Sequence, residues 1–376
     1  MPAFSRAPAR QSWGTAACKL YIPKSSRIAE RFIMTMTPRE RVLAAMKQEE
    51  LDRPPVAVFT QSATIGQMKH TGFSWPEAHS DAKMMCELGA AQATYFGFEA
   101  VRSSFCLTAE AERLGCVVDP GKEDRTPMLK KHPFHFDPME GTYDEPNVMD
   151  PDEFIKGGRP AVIIEATKLM KEKYGKEYAV IAGNTGPFTL AGHLVSTENL
   201  VFGIMMDPDQ VKKWVDAVNP VIKTYCQALA DAGADIIQMS EPSSSTDLLS
   251  PDMFTEYSGN YVKTSLAATQ GADTVLHICG DTSEIIPLMA DTGVTGISIE
   301  EKVDSAEAVK IANKRVALVG NVGVVFPLLQ GTPDDCAAAG KRIAAAGFNI
   351  VSPGCGLSAL ISDDNLFALV KSVKGC

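Results

Sequence analysis

The sequence predicts an α/β fold of the (β/α)8 TIM-barrel type, and three observations carry that expectation. From about residue 178 onward, short apolar runs alternate six times with longer amphipathic stretches. Several of those stretches open on proline behind an acidic or hydroxyl residue, at Asp207-Pro208, Ser250-Pro251 and Thr332-Pro333, which are helix start signals. With 376 residues and 45% hydrophobic content the chain can enclose one large core, and a barrel of about 250 residues plus insertions accounts for most of it. Successive βα units give parallel strands with right-handed crossovers, and a run this long is better closed than open.

Taken in order, residues 1–33 carry six Arg or Lys against one acidic residue, Glu30, with scattered Ser, Ala and Pro. They read either as a transit-like or disordered leader or as an over-extended reading frame that truly starts at Met34 or Met36. Thr37-Pro38-Arg39-Glu40 offers an N-cap Thr, Pro at the first helical position and Glu at N3 of a capping box. The expected division is therefore an N-terminal extension over 1–36 and one catalytic barrel domain over 37–376. Residues 55–59 read as a first strand, 81–95 as a helix and 99–102 as a second strand. Residues 117–160, rich in Pro, Gly, Asp and Lys, read as an excursion with little regular structure. Beyond it, strands are expected over 178–182, 235–240, 274–279, 296–300, 316–320 and 349–352. The helices between and after them are expected over 208–232, 251–269, 282–292, 305–313, 333–346 and 362–374.

Composition excludes several functions. A net charge of -10 and a pI near 5.2 argue against a general nucleic-acid binder, which needs a positive footprint to displace counterions. No window approaches the roughly 20 consecutive apolar residues that span a bilayer. Nine cysteines, at 18, 86, 106, 116, 226, 279, 336, 355 and 376, show no disulfide framework, so a reducing compartment is expected. A soluble, cytoplasmic enzyme with mostly free thiols fits these numbers.

His277-Ile278-Cys279 ends the apolar run Thr274-Val275-Leu276, and Cys355 follows the run at 349–352 by a Pro-Gly turn. Residues two apart on a strand share a face, so His277 and Cys279 emerge together. In a barrel of this class the active site lies where strands end, which puts all three at the mouth. One imidazole and two thiolates suit a tetrahedral zinc ion with a fourth position left for an exogenous ligand. Taken singly, a buried Cys is usually a small hydrophobe and a lone His a hydrogen-bonded core residue; as a set at matching strand ends they read as metal ligands. Glu300, Glu301 and Glu241 end neighbouring strands. There a carboxylate either fills the fourth zinc position until substrate arrives, or orients the His277 ring, or is simply a solvated loop acid. Gly186-Pro187-Phe188-Thr189 and Gly320-Asn321-Val322-Gly323 read as tight turns near the mouth. Cys106 and Cys116 read as buried and Cys376 as terminal and mobile.

From about residue 37 to the end the chain resembles the methylcobamide:coenzyme M methyltransferases of the uroporphyrinogen decarboxylase superfamily, of the methanol and methylamine types. The stretches that carry the resemblance are Trp75-Pro76-Glu77-Ala78-His79, Cys106-Leu107-Thr108, Leu276-His277-Ile278-Cys279-Gly280, Glu300-Glu301-Lys302, Val319-Gly320-Asn321-Val322 and Pro353-Gly354-Cys355-Gly356. It implies a TIM barrel, one zinc on His277, Cys279 and Cys355, and methyl transfer from a corrinoid, presented by a separate methylated protein, to the thiol of coenzyme M. Two departures matter. The segment Pro55-Val56-Ala57-Val58-Phe59-Thr60-Gln61-Ser62-Ala63 lacks the arginines with which a uroporphyrinogen decarboxylase holds its substrate carboxylates. Glu241 stands where the methanol-type pattern has Asp, followed by the unusual Ser243-Ser244-Ser245. Besides the thiol methyltransferase, the readings kept open are transfer to another acceptor such as tetrahydrofolate, a decarboxylase-like barrel, and a zinc-stabilised binding module without catalysis.

Overall fold

The computed structural model describes residues 36–61 and 63–375, so the expectations for residues 1–35 and for Cys376 lie outside the described residues. Seven parallel strands run in sequence order around one sheet: β1 (Ala100–Ser103), β2 (Ala179–Thr185), β3 (Ile236–Ser240), β4 (Asp273–Ile278), β5 (Gly296–Ile299), β6 (Ala317–Val322) and β7 (Ile350–Pro353). The expected first strand closes the ring as an extended segment rather than a full strand. Ala57 N–H donates to the Val351 carbonyl (3.0 Å), Val351 N–H to Pro55 (2.9 Å) and Glu99 N–H to Val56 (2.8 Å), so residues 55–57 bridge β7 and the start of β1. The barrel is thereby closed with eight staves, as the alternation predicted.

Alternation along each stave sorts the interior into layers. Ala57, Phe59, Ala100, Ala179, Ile181, Ile236, Val275, Val319 and Ile350 form one apolar cluster with Val42, Ala45 and Met46 of the helix Pro38–Met46. That helix seals the end of the barrel at which the strands begin. The expected capping box holds it: Glu40 N–H donates to Thr37 Oγ1 (3.2 Å), and Thr37 N–H to Glu40 Oε2 (2.8 Å). Its Arg41 reaches buried Glu99 (2.5 Å), which also takes Arg53 (2.8 Å) and the Val56 N–H (3.0 Å). Two residues further along the staves the interior turns polar, with Arg102, Gln238, Ser240, His277 and Ser298 all buried. The Arg102 guanidinium reaches along the sheet to Gly183; a Cβ there would stand 1.9 Å from it, so the arginine fits only because β2 offers no side chain at that point.

The remaining elements differ from expectation in ways with identifiable causes. The excursion at 117–160 contains two short antiparallel ribbons, Val117–Asp119 with Met128–Lys131 and Phe136–Asp137 with Thr142–Tyr143, and the helix Pro151–Phe154. Strands of two to four residues are too short to show a period, and the ribbons are anchored by single residues such as buried Phe136. The helix expected over 282–292 starts at Ile286, because Pro287 has no N–H to give and fits only a first turn. The helix expected over 251–269 is broken into Pro251–Phe254, a wide π-turn over Thr255–Gly259, and Asn260–Leu266. Gly158–Tyr174, Pro187–Val195 and Thr197–Met206 are helices the periodicity did not reveal. No helix among the described residues is long and apolar enough to cross a membrane.

Candidate metal centre

His277 is the penultimate residue of β4, Cys279 the first beyond its end, and Cys355 the second beyond the end of β7. The strand register sets the imidazole level with Ser240 of β3 and Ser298 of β5. His277 Nε2 lies 3.2 Å from Cys279 Sγ, and Cys279 Sγ 3.2 Å from Cys355 Sγ. The donor atoms of the three all fall within 4.8 Å of one another, the one such His/Cys/Asp/Glu group among the described residues. A tetrahedral zinc with bonds of about 2.3 Å to sulfur and about 2.0 Å to nitrogen needs donor separations of roughly 3.5–3.8 Å, so small side-chain rotations suffice. The residues fit the ion in kind, number and spacing.

The surroundings hold that geometry. His277 is 2% exposed, and its Nδ1 faces Ser298 Oγ at 3.1 Å, which leaves Nε2 toward the sulfurs. Cys355 is fixed from the opposite wall, where Thr60 Oγ1 donates to its carbonyl oxygen (2.6 Å) and Leu357 N–H donates to Gln61 O (2.9 Å). The two sulfurs lie within hydrogen-bond distance of each other. The hydrogen bond to Cys355, together with burial and the charges of Glu300 and Glu301, pushes the Cys279 thiol up. Acceptance of that hydrogen bond and the nearby imidazole pull Cys355 down. A divalent ion bound by the pair would favour both sulfurs as thiolates.

The carboxylates fall out differently from expectation. Neither Glu300 nor Glu241 orients the imidazole; Ser298 has that place. Glu300 instead accepts the backbone N–H of Gly280, beside Cys279, so it braces the turn that carries a ligand. Glu241 is 0% exposed, and its two oxygens accept the N–H groups of Phe188 and Thr189 at 2.9 Å each. It caps the helix Pro187–Val195 from a neighbouring strand, since Gly186 at the N-cap has no side chain to do so. A Cβ on Gly186 would lie 2.3 Å from that carboxylate, which explains the glycine previously read as a simple turn. Burial pushes the Glu241 carboxyl up to about 7, against the pull of its hydrogen bonds. Glu301 is raised too, by burial first. Cys106 and Cys116 are buried, as expected.

Ser298 and Thr60 were missed at the level of sequence. Ser298 had a readable sign, because a hydroxyl inside Ile297-Ser298-Ile299 shares the inward face with Glu300. Thr60 had none, since its role depends on contact with a residue 295 positions away.

Residues 37–376 match the family model described as uroporphyrinogen decarboxylase (URO-D). The methylcobamide:CoM methyltransferase MtbA of Methanosarcina acetivorans is 36% identical over 346 residues, covering 90% of this chain and 98% of the relative. The methylcobamide:CoM methyltransferase MtaA of Methanosarcina barkeri is 34% identical over 339 residues, covering 89% and 96%. A solved methyltransferase from Methanosarcina mazei superposes with a TM-score of 0.84 at 34% identity, over 90% of this chain and 98% of that one. A His-x-Cys pair at one barrel stave and a cysteine at another, in a chain with these relatives, place it: it belongs to the uroporphyrinogen decarboxylase (URO-D) family and, within it, to the methylcobamide:coenzyme M methyltransferases.

Proposed function

We propose that the chain transfers a methyl group from a methylated corrinoid, carried by a separate protein, to a small thiol, with coenzyme M as acceptor and zinc held by His277, Cys279 and Cys355. The convergence of those three donors within 4.8 Å at the barrel mouth is the observation that carries the reading. The names of relatives more than 30% identical over nearly their whole length support its chemistry. Bound zinc supplies deprotonation of the incoming thiol and holds it as thiolate.

The chain's own residues do the rest. Ser298 fixes the His277 ring, Thr60 fixes the Cys355 loop, and the two cysteine thiolates cancel most of the ion's charge, so an acceptor sulfur keeps its nucleophilicity. Glu300, already beside Cys279, would be the carboxylate available to the ion before the acceptor arrives, while Glu241 acts at a distance by fixing the helix Pro187–Val195. In the transfer the S–C bond forms as the Co–C bond breaks. The electron pair of the Co–C bond stays on cobalt as Co(I), and the thiol proton goes to solvent. The arginine-free segment after residue 55 disfavours decarboxylation of a polycarboxylate. Transfer to tetrahydrofolate and a non-catalytic zinc module are the competing outcomes.

Zinc-edge absorption of the metal-loaded protein with and without coenzyme M tests this directly, the expected result being one additional sulfur neighbour. Cys355→Ala is expected to lose zinc and thiol methylation from free methylcobalamin while the barrel stays folded by circular dichroism. Loss of fold together with metal would make the site structural, and methylation of tetrahydrofolate but of no thiol would change the acceptor.

A further inference from the structure

Cys106 and Thr108 lie in the turn between β1 and the helix Ala109–Arg113, and Arg159 sits in the first turn of the helix Gly158–Tyr174. The arginine, 8% exposed, donates through Nη1 to Cys106 Sγ and through Nη2 to Thr108 Oγ1, each at 2.9 Å, while its Nε is held by Glu112. Thr108 Oγ1 in turn lies 3.4 Å from Cys106 Sγ. Because that oxygen accepts from Arg159, its own proton is left for the sulfur. The sulfur therefore faces two donors, one of them charged. Burial works against the cation, yet Cys106 and Glu112 together hold Arg159 above its ordinary range. Cys116 shows the contrasting case: its Sγ donates to the His193 carbonyl at 3.2 Å, and burial pushes its thiol up to about 12.

Access is the second observation. Cys106 and Thr108 line a cavity of about 500 Å³. Its outer lining includes Met128, which is 47% exposed, so small solutes enter from solvent. Two atoms of lining residues, Gln61 Nε2 and His193 Nδ1, are buried without a hydrogen-bond partner, as at a place completed by a small polar molecule. The proposed methyl transfer uses neither this thiol nor its arginine.

We infer that Cys106 is a peroxide-reactive thiol, a modification site at which a hydroperoxide converts the sulfur to a sulfenic acid, with Arg159 and Thr108 as its positioning residues. The sulfur attacks one oxygen of hydrogen peroxide. The S–O bond forms as the O–O bond breaks, sulfur gives up two electrons, and the second oxygen leaves with the thiol proton as water. A guanidinium held on the sulfur favours the nucleophilic thiolate and offers a charged hydrogen bond to the departing oxygen. Thr108, bonded to both partners, keeps sulfur and guanidinium in one plane of contacts.

The test uses the full-length, zinc-loaded protein, hydrogen peroxide, and dimedone as a trap for sulfenic acid, with peptide mass spectrometry to locate the adduct. The label should appear on Cys106 and not on Cys116. At about pH 7 its rate should exceed that of glutathione in the same solution at least tenfold, fall roughly 10–100-fold in Arg159→Met, the span of one charged hydrogen bond, and fall about fivefold in Thr108→Val. Arg159→Lys should recover part of the loss. A Cys106 rate no faster than that of glutathione would overturn the inference without recourse to any variant. So would equal labelling of Cys116, or a rate unchanged or raised in an Arg159→Met protein whose circular dichroism matches the wild type. Methyl transfer enters none of these readouts, so they stand apart from the thiol-methyltransferase reading.

Discussion

Replacing Glu241 by Gln separates what the carboxylate does by shape from what it does by charge. In the folded chain the group is fully buried, accepts two backbone N–H groups at the start of the helix Pro187–Val195, and ionises near 7 because burial outweighs those bonds. In the unfolded chain it ionises near its ordinary 4.5. Folding therefore tightens its hold on the proton, so its contribution to stability is greatest below 4.5, falls as pH rises toward 7, and is flat above. At about 1.4 kcal/mol per pH unit the whole fall is about 3 kcal/mol, of which about 2 kcal/mol lies between pH 5.5 and pH 8.5. Glutamine has the same size and keeps one acceptor, at a cost of about 1–3 kcal/mol for the second N–H, but it has no such pH dependence. Urea unfolding of wild type and Glu241→Gln at the two pH values gives a difference of differences in which metal and all other titrations cancel. The variant should gain about 2 kcal/mol relative to wild type at the higher pH. Parallel profiles would show that the two N–H groups and the helix terminus hold the carboxylate ionised throughout, and the account of a helix cap strained by its own charge would be wrong.

Two further outcomes follow from named contacts. Ser298→Ala should weaken zinc binding 10–100-fold, by freeing the His277 ring, with the far-ultraviolet circular dichroism unchanged; a chelator competition that shows no change would mean the ring is set by packing alone. Glu99→Gln should cost about 3–5 kcal/mol in urea unfolding, because it leaves Arg41 and Arg53 facing a neutral partner in a buried site, and a loss below 1 kcal/mol would show that Asp52 compensates for Arg41.

The barrel was readable because its staves are buried on both faces and its helices are long, which are the conditions under which apolar runs and the 3.6-residue period stand out. All six strands expected after residue 178 are present, with ends shifted by three residues or fewer. The convergence of His277, Cys279 and Cys355 was readable for a related reason: His277 and Cys279 are fixed relative to each other by strand alternation, and Cys355 by its place after a stave, so local pattern determined which end of the barrel they reach. What failed was whatever depended on a partner far along the chain. Glu241 looked like a mouth acid because it directly follows β3, yet its destination is set by Gly186 and the two amides behind it, 52 and 53 residues away. The helix that it caps was hidden by the same fact, since Gly186 shows no capping side chain in sequence.

The position of the polar layer links fold to chemistry. The apolar cluster shared with the helix Pro38–Met46 fills the barrel up to the level of Val275, and His277 is the next residue of β4 on that inward face. A metal ligand one step lower would be enclosed by Ile236, Val319 and Ile350, where a divalent ion and its thiolates would meet no incoming substrate. One step higher, it would leave the strand and lose the register that sets Ser298 beside its ring. At the observed level the imidazole is buried and held while both sulfurs remain partly exposed at the rim. That division encloses the histidine and leaves the two sulfurs open to the barrel mouth. It also locates the weak point of the design. An insertion of one residue in β4 ahead of His277 would turn His277 and Cys279 onto the outer face together and separate them from Cys355.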